Sequence, residues 1–163
     1  MKTIQDLIHQ ANKLMEQEHY DEAEPLLLVV IKRDQKNPEA HYLLGEVYCK
    51  QQRFAESVTV LEKANRLLPG NPNIIRLLGW ATFMNGDIER GREHMKKALT
   101  KTPNDIRHLC DFAVLEMHNH NYVAAKTYAR TAMNLAPNDD MVQEVNAAID
   151  AFGAAYHHTL QKN

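Results

Sequence analysis

The sequence has no long apolar run, little cysteine and almost no net charge. No segment approaches the ~18 consecutive apolar residues of a membrane-spanning helix, and the first residues lack the apolar stretch of a secretory signal. The two cysteines, Cys49 and Cys110, stand in no metal-ligand spacing. A net charge of −2 does not favour nucleic acid or an anionic membrane as the partner. We therefore expect a cytoplasmic chain that acts without a membrane or nucleic acid.

Motifs of catalysis and of metal binding are also missing. There is no glycine-rich phosphate loop, no nucleophile elbow and no His-Glu-x-x-His. Among the nine histidines, neither the pair His118 and His120 nor the pair His157 and His158 has a carboxylate or cysteine at ligand spacing. We expect no enzyme activity, no metal and no cofactor.

What the chain does have is a period of ~34 residues, which is the length of a helix–turn–helix repeat. The windows 4–37, 38–71, 72–105 and 106–139 align without a gap. Small residues recur at two places in each window, where two helices of one repeat must approach closely: Ala11, Gly45, Gly79 and Ala113, then Ala23, Ser57, Gly91 and Ala125. Pro69, Pro103 and Pro137 follow the second helices and end them. The pattern predicts helix pairs that stack on their neighbours to complete a core.

The second window resembles the tetratricopeptide repeat, whose pattern runs Trp-x2-Leu-Gly-x2-Tyr, then Ala-x3-Phe, then Pro. The residues that carry the resemblance are His41, Leu44, Gly45, Tyr48, Ser57, Leu61 and Pro69. Gln35 stands where the first window should have proline, and Glu116 stands where the fourth should have tyrosine. The resemblance implies an all-α, right-handed superhelical solenoid of four repeats. It implies one domain over 1–163 that binds a protein or peptide.

The repeat also predicts where each helix lies. First helices are expected over 4–17, 38–51, 72–85 and 106–119, and second helices over 21–34, 55–68, 89–102 and 123–136. Thr3, Asp21 and Asp87 are candidate N-caps. After Asn138 the period is expected to stop, and a capping helix over 140–157 should cover the last repeat before a frayed tail, 158–163. Its apolar stripe consists of Met141, Val145, Ile149, Phe152 and Tyr156.

The resemblance further implies that the first helices line a concave groove. The middle of this surface reads as an exposed cluster of aromatic and methionine side chains, centred on Trp80, which is typical of a peptide site. The predicted site residues are Ile8, Asn12, Tyr42, Leu43, Glu46, Arg76, Leu77, Trp80, Phe83, Met84, Arg107, Val114 and Met117. In the alternative, Leu77 and Phe83 turn into the helix packing and leave only Trp80 open.

Some family members clamp a terminal carboxylate with lysines, asparagines and an arginine. Only Asn12 matches such a clamp, so we do not expect one, although Arg76 and Arg107 could still meet an acidic side chain. The sequence is compatible with three functions. The first is a non-catalytic adaptor that binds a peptide or protein segment. The others are a secretion chaperone of the type III class for an apolar client, and a scaffold that assembles into a homo-oligomer.

Overall fold

A computed structural model describes residues 2–160, with side chains placed for residues 2–154. Within that range the chain forms nine α-helices and no strand. The helices are α1 (Ile4–Glu16), α2 (Tyr20–Arg33), α3 (Pro38–Lys50), α4 (Phe54–Leu67), α5 (Pro72–Met84), α6 (Ile88–Lys101), α7 (Ile106–His118), α8 (Tyr122–Leu135) and α9 (Asp140–Leu160). The predicted all-α fold of four helix pairs and a C-terminal helix is confirmed.

The helices follow the period of the sequence closely. The first helices begin at residues 4, 38, 72 and 106, and the second helices at 20, 54, 88 and 122. Helix α9 begins at residue 140, one further period along, although the period was expected to stop at Asn138. It also runs past the expected end at 157, as far as Leu160. The rest of the predicted tail, residues 161–163, lies outside the described residues, as do the side chains of Tyr156, His157 and His158.

Polar side chains cap most of the helix starts. Thr3 forms a capping box with Asp6 at the start of α1, and its hydrogen bond holds the pKa of the Asp6 carboxyl below its usual value. The prediction for Asp87 is confirmed, because its carboxylate accepts from the Arg90 amide at 3.3 Å. The prediction for Asp21 is wrong. The N-cap of α2 is His19, which makes no side-chain cap bond, and Asp21 lies inside the helix.

Small residues mark the places where two helices of one pair cross. A Cβ on Gly45 would lie 2.5 Å from Cγ of Leu61 in α4. A Cβ on Gly91 would lie 2.6 Å from the backbone nitrogen of Phe83 and 2.8 Å from the carbonyl oxygen of Gly79. Real Cβ atoms essentially never approach other atoms this closely. At Gly91 the neighbours are backbone atoms, so only glycine allows α5 and α6 to lie this close, whereas at Gly45 the neighbour is the Leu61 side chain.

The chain divides into two compact units, Met1–Gly91 and Arg92–Asn163. The core of unit one is built from small and aliphatic side chains of α1 to α5, among them Ala11, Leu27 and Leu44, which are at most 1% exposed.

In unit two, α9 packs on α7 and α8 through Val142 and Ile149, which are also buried. Phe152 of the predicted stripe is 46% exposed, and its ring lies 5.7 Å from the Tyr122 ring, centroid to centroid. A single domain over the whole chain stays a prediction.

The two units contain one side-chain cluster at equivalent positions, with its chemistry changed. In unit one, the Arg53 guanidinium stacks 4.2 Å above the Tyr48 ring and binds Glu24 of the preceding repeat at 2.7 Å. Two periods later, these three positions are occupied by Asn121, Glu116 and Arg92.

In unit two the arginine comes from the preceding repeat. Arg92 donates to both carboxylate oxygens of Glu116, at 2.8 and 3.2 Å, and the Asn121 amide donates to the same carboxylate at 2.7 Å. Glu116 is 1% exposed. Glu116, which stands where the family has tyrosine, therefore forms a buried ion pair that joins two successive repeats.

The first prediction concerns the crossing of α5 and α6. Gly91→Ala should lower the free energy of unfolding by roughly 1–3 kcal/mol, because the new methyl group meets backbone atoms that cannot rotate away. Gly153→Ala in α9 is the matched control, because a Cβ there meets no atom within 4 Å. The control should leave stability unchanged or raise it by up to ~1 kcal/mol through helix propensity. Denaturant unfolding of both variants tests this, and a Gly91→Ala protein as stable as the control would contradict the crossing.

The second prediction concerns the buried carboxylate. Glu116→Ala should destabilise by about 3 kcal/mol, since it removes the carboxylate that neutralises the largely buried Arg92. Glu62→Ala, which breaks the more exposed pair with Arg90, should cost less than about 1 kcal/mol. Denaturant unfolding of the two variants measures the difference.

A triple variant tests whether the side-chain clusters of the two units are interchangeable. Arg92→Glu, Glu116→Tyr and Asn121→Arg together place the unit-one cluster in unit two, and should recover most of the stability that Glu116→Ala loses. A triple variant less stable than Glu116→Ala would show that the two clusters are not interchangeable.

Candidate functional site

An open cleft between α1 and α3 brings together two of the predicted site residues. Asn12 of α1 and Glu46 of α3, which stand at the same position of consecutive repeats, both line it. The cleft has a volume of about 480 Å³. Its other lining residues are His9, Met15, Glu16, Tyr20 and Lys50.

The walls of this α1–α3 cleft are mainly polar. Glu16 and Glu46 supply acidic groups, whereas Lys50 supplies a cation. Asn12 supplies a carbonyl and an amide that can pair with a peptide backbone. Tyr20 is the first residue of α2, so a sequence argument confined to the first helices did not include it.

A smaller cavity lies where α3 and α5 begin. Its volume is about 220 Å³, and the predicted residue Tyr42 lines it together with Pro38, Leu68 and Ile74. Tyr42 also packs against the core clusters of unit one, so its ring is only partly open. The cavity offers an apolar pocket for one small side chain.

Trp80 occupies the same position of α5 that Asn12 and Glu46 occupy in α1 and α3. Its side chain is half-buried, although the sequence predicted substantial exposure. Met84, one turn further along α5, is 37% exposed. Trp80 and Met84 therefore present a narrower surface than the sequence suggested.

Several predicted site residues are not open at all. Those that are buried are Ile8, Leu43, Arg76, Leu77 and Phe83. Leu77 belongs to a core cluster with Leu61 and Leu78, and the backbone of α6 covers Phe83 at Gly91. The prediction of an exposed apolar wall is therefore wrong for Leu77 and Phe83, and the alternative in which they turn into the packing is correct.

The remaining predicted residues lie on α7 of unit two. Arg107 is exposed, whereas Val114 and Met117 are half-buried. Met117 packs against the core around Ala113 and Ala129. That these residues complete a binding groove stays a prediction.

The thiols have environments that suppress their reactivity. Burial raises the pKa of Cys110 to about 11, with Asp111 and Asp139 adding to the effect. Burial likewise raises the pKa of Cys49, whose sulfur lies 3.1 Å from the Ser57 hydroxyl. Both groups are thus held as neutral thiols near pH 7, which is the wrong state for a nucleophile.

Two searches of the described residues bear on other kinds of site. Across that part of the chain, no three side chains of His, Cys, Asp or Glu lie together in a way that could hold a metal ion. None of the described helices is both long enough and apolar enough to cross a bilayer.

Paired helices at a constant period, with small residues at each crossing, define a helical repeat protein. The family model described as "Tetratricopeptide repeat" matches residues 14–81, and the helix pairs continue in register beyond that match. Residues 14–81 thus match the tetratricopeptide repeat family, and the fold of the remaining helix pairs is similar to it.

Its relatives are distant. The chain is 24% identical over 136 residues to mouse "Protein O-mannosyl-transferase TMTC1", an alignment that covers 79% of this chain but only 14% of that protein. Among solved structures, a thermophilic tetratricopeptide repeat protein of Thermus thermophilus superposes with a TM-score of 0.82 at 16% identity, covering 91% of this chain and 81% of that one.

A second solved structure is YrrB, described as "a TPR protein with an unusual peptide-binding site". It has a TM-score of 0.65 at 17% identity, and the match covers 91% of this chain and 77% of that one. At such identities these likenesses establish the fold alone.

Proposed function

We propose that this chain is a non-catalytic adaptor that binds a protein segment in the α1–α3 cleft. The observation that carries the proposal is that Asn12 and Glu46 line one open cleft of about 480 Å³. Such a volume lies in the range of clefts that accept ligands. Cytoplasmic location and the absence of enzyme activity are part of the same proposal.

The chemistry of the cleft favours a polar, extended segment. Asn12 pairs with the segment's backbone, while Glu46 and Lys50 select side chains of opposite charge. Tyr42 and Trp80 extend the contact along α3 and α5 and bury apolar side chains there. The solved relative YrrB, described as having a peptide-binding site, supports binding of this kind.

A chaperone for an apolar client receives less support. Such a client needs a wide apolar wall, but Leu77 and Phe83 belong to the core and are 7% and 6% exposed. The polar residues of the α1–α3 cleft suit a soluble segment better than an aggregation-prone one.

The third prediction tests the cleft. Peptides selected from a random library on the intact protein should bind the Asn12→Ala and Glu46→Ala variants roughly tenfold more weakly, because each change removes a central polar contact. The measurement is fluorescence anisotropy with a labelled selected peptide.

Lys13→Ala is the matched control. Lys13 is adjacent to Asn12 in α1 but exposed, and it does not line the cleft. Melting temperatures of all three variants establish that they remain folded. Peptides that bind Asn12→Ala, Glu46→Ala and Lys13→Ala with equal affinity would exclude the cleft as the site.

A further inference from the structure

The second helices of unit one enclose a groove that the proposed function does not use. It lies between α2 and α4 and has a volume of about 520 Å³. Leu28, Ile31 and Val60 supply its apolar lining. Leu28 is 44% exposed, so the groove presents open apolar surface. A partner could bury this surface without unfolding any helix.

Cations surround this α2–α4 groove. Lys32, Lys63 and Arg66 line it, and none of its lining residues is acidic. Arg66 lies 3.9 Å from Glu62, but that carboxylate is bound more closely by Arg90, at 2.9 Å. The Arg66 side chain is also 66% exposed, so its charge reaches the groove. The groove therefore combines an apolar lining with a positive potential.

Unit two has the same groove in the same place of its own repeats, with the charge reduced. It lies between α6 and α8 and also has a volume of about 520 Å³. Two periods after Lys32 and Lys63 stand Thr100 and Thr131, and both threonines line this second groove. Among the described residues that line it, Lys96 is the one cation. The helices and the volume match, but Lys32 and Lys63 are replaced by threonines and the exposed Leu28 by Lys96, so the α6–α8 groove is an internal comparison for the combined apolar and cationic lining.

We infer that the α2–α4 groove is a second docking site, which takes an acidic amphipathic helix from a partner protein. A helix with apolar residues at i, i+3, i+4 and i+7 lays them into an apolar groove between two helices. Glutamates beside that stripe meet Lys32, Lys63 and Arg66. The apolar lining favours a protein helix over nucleic acid, which would use the cations and leave Leu28 and Val60 uncovered.

The test uses a synthetic helical peptide with leucines at i, i+3, i+4 and i+7 and glutamates on both flanks, and a twin peptide with glutamine in place of glutamate. Amide chemical shifts of the full chain report where each peptide binds. The glutamate peptide should shift amides of α2 and α4 around the groove and leave the α6–α8 groove unchanged. The glutamine twin should bind more weakly.

Charge reversal provides the second measurement. Lys32→Glu with Lys63→Glu should lower the affinity for the glutamate peptide roughly five- to tenfold at low salt, because each exposed ion pair contributes little alone and is screened by salt. Lys13→Glu with Lys101→Glu changes the net charge equally at exposed positions that do not line the groove, and should have little effect.

Three results would overturn the inference. One is a glutamate peptide that shifts the α6–α8 groove as strongly as the α2–α4 groove, or binds both double variants equally. Another is a shift of the α2–α4 amides on simple dilution of the protein, which would make a second copy of the chain the occupant. The last is single-stranded DNA that binds the same amides more tightly than the glutamate peptide. All of these readouts concern the second helices, α2, α4, α6 and α8, so they are independent of binding at Asn12 and Glu46.

Discussion

The close approach of paired helices at small residues is the constraint on which the rest of this structure depends. At Gly91 the α6 backbone lies so near Gly79 and Phe83 that no Cβ fits. At Gly45 the space is filled by Leu61. Close crossing lets short helices bury their apolar faces, and its recurrence at one period places the side chains of successive repeats in equivalent surroundings. Clefts between equivalent helices follow directly from that recurrence.

Equivalent positions do not require equivalent chemistry. Tyr48 and Glu116 occupy the same site in two repeats, one stacked under an arginine and the other in a buried ion pair. The α2–α4 and α6–α8 grooves likewise differ in their side chains, because Lys32 and Thr100 stand at equivalent positions and line grooves of equal volume. The backbone of the repeat thus determines where a contact falls, and the side chains determine what it accepts. The peptide-binding and docking proposals both rest on this distinction.

Much of the fold could be predicted from the sequence because it depends on local spacing. The helix starts, the glycine crossings and the Thr3 cap all follow from one period and from short-range turn chemistry. The candidate site was harder to predict, because openness depends on contacts between elements. Phe83 carries the pattern of a surface residue, but α6 covers it at Gly91.

Two further features were missed for related reasons. The capping helix was predicted to begin at residue 140, but its start in register with the four repeats was not recognised, because the family's residue pattern ends at Pro137. The α2–α4 groove was missed because the predicted site was confined to the first helices, and a groove between two helices leaves no mark on either one alone.

The central claim is that this chain binds a protein segment in the α1–α3 cleft. A crystal structure of the protein with a library-selected peptide tests it most directly. The account predicts a peptide seated between α1 and α3, with its backbone within hydrogen-bonding distance of the Asn12 side chain. A peptide seated on α7, or on the second helices with the α1–α3 cleft empty, would contradict it.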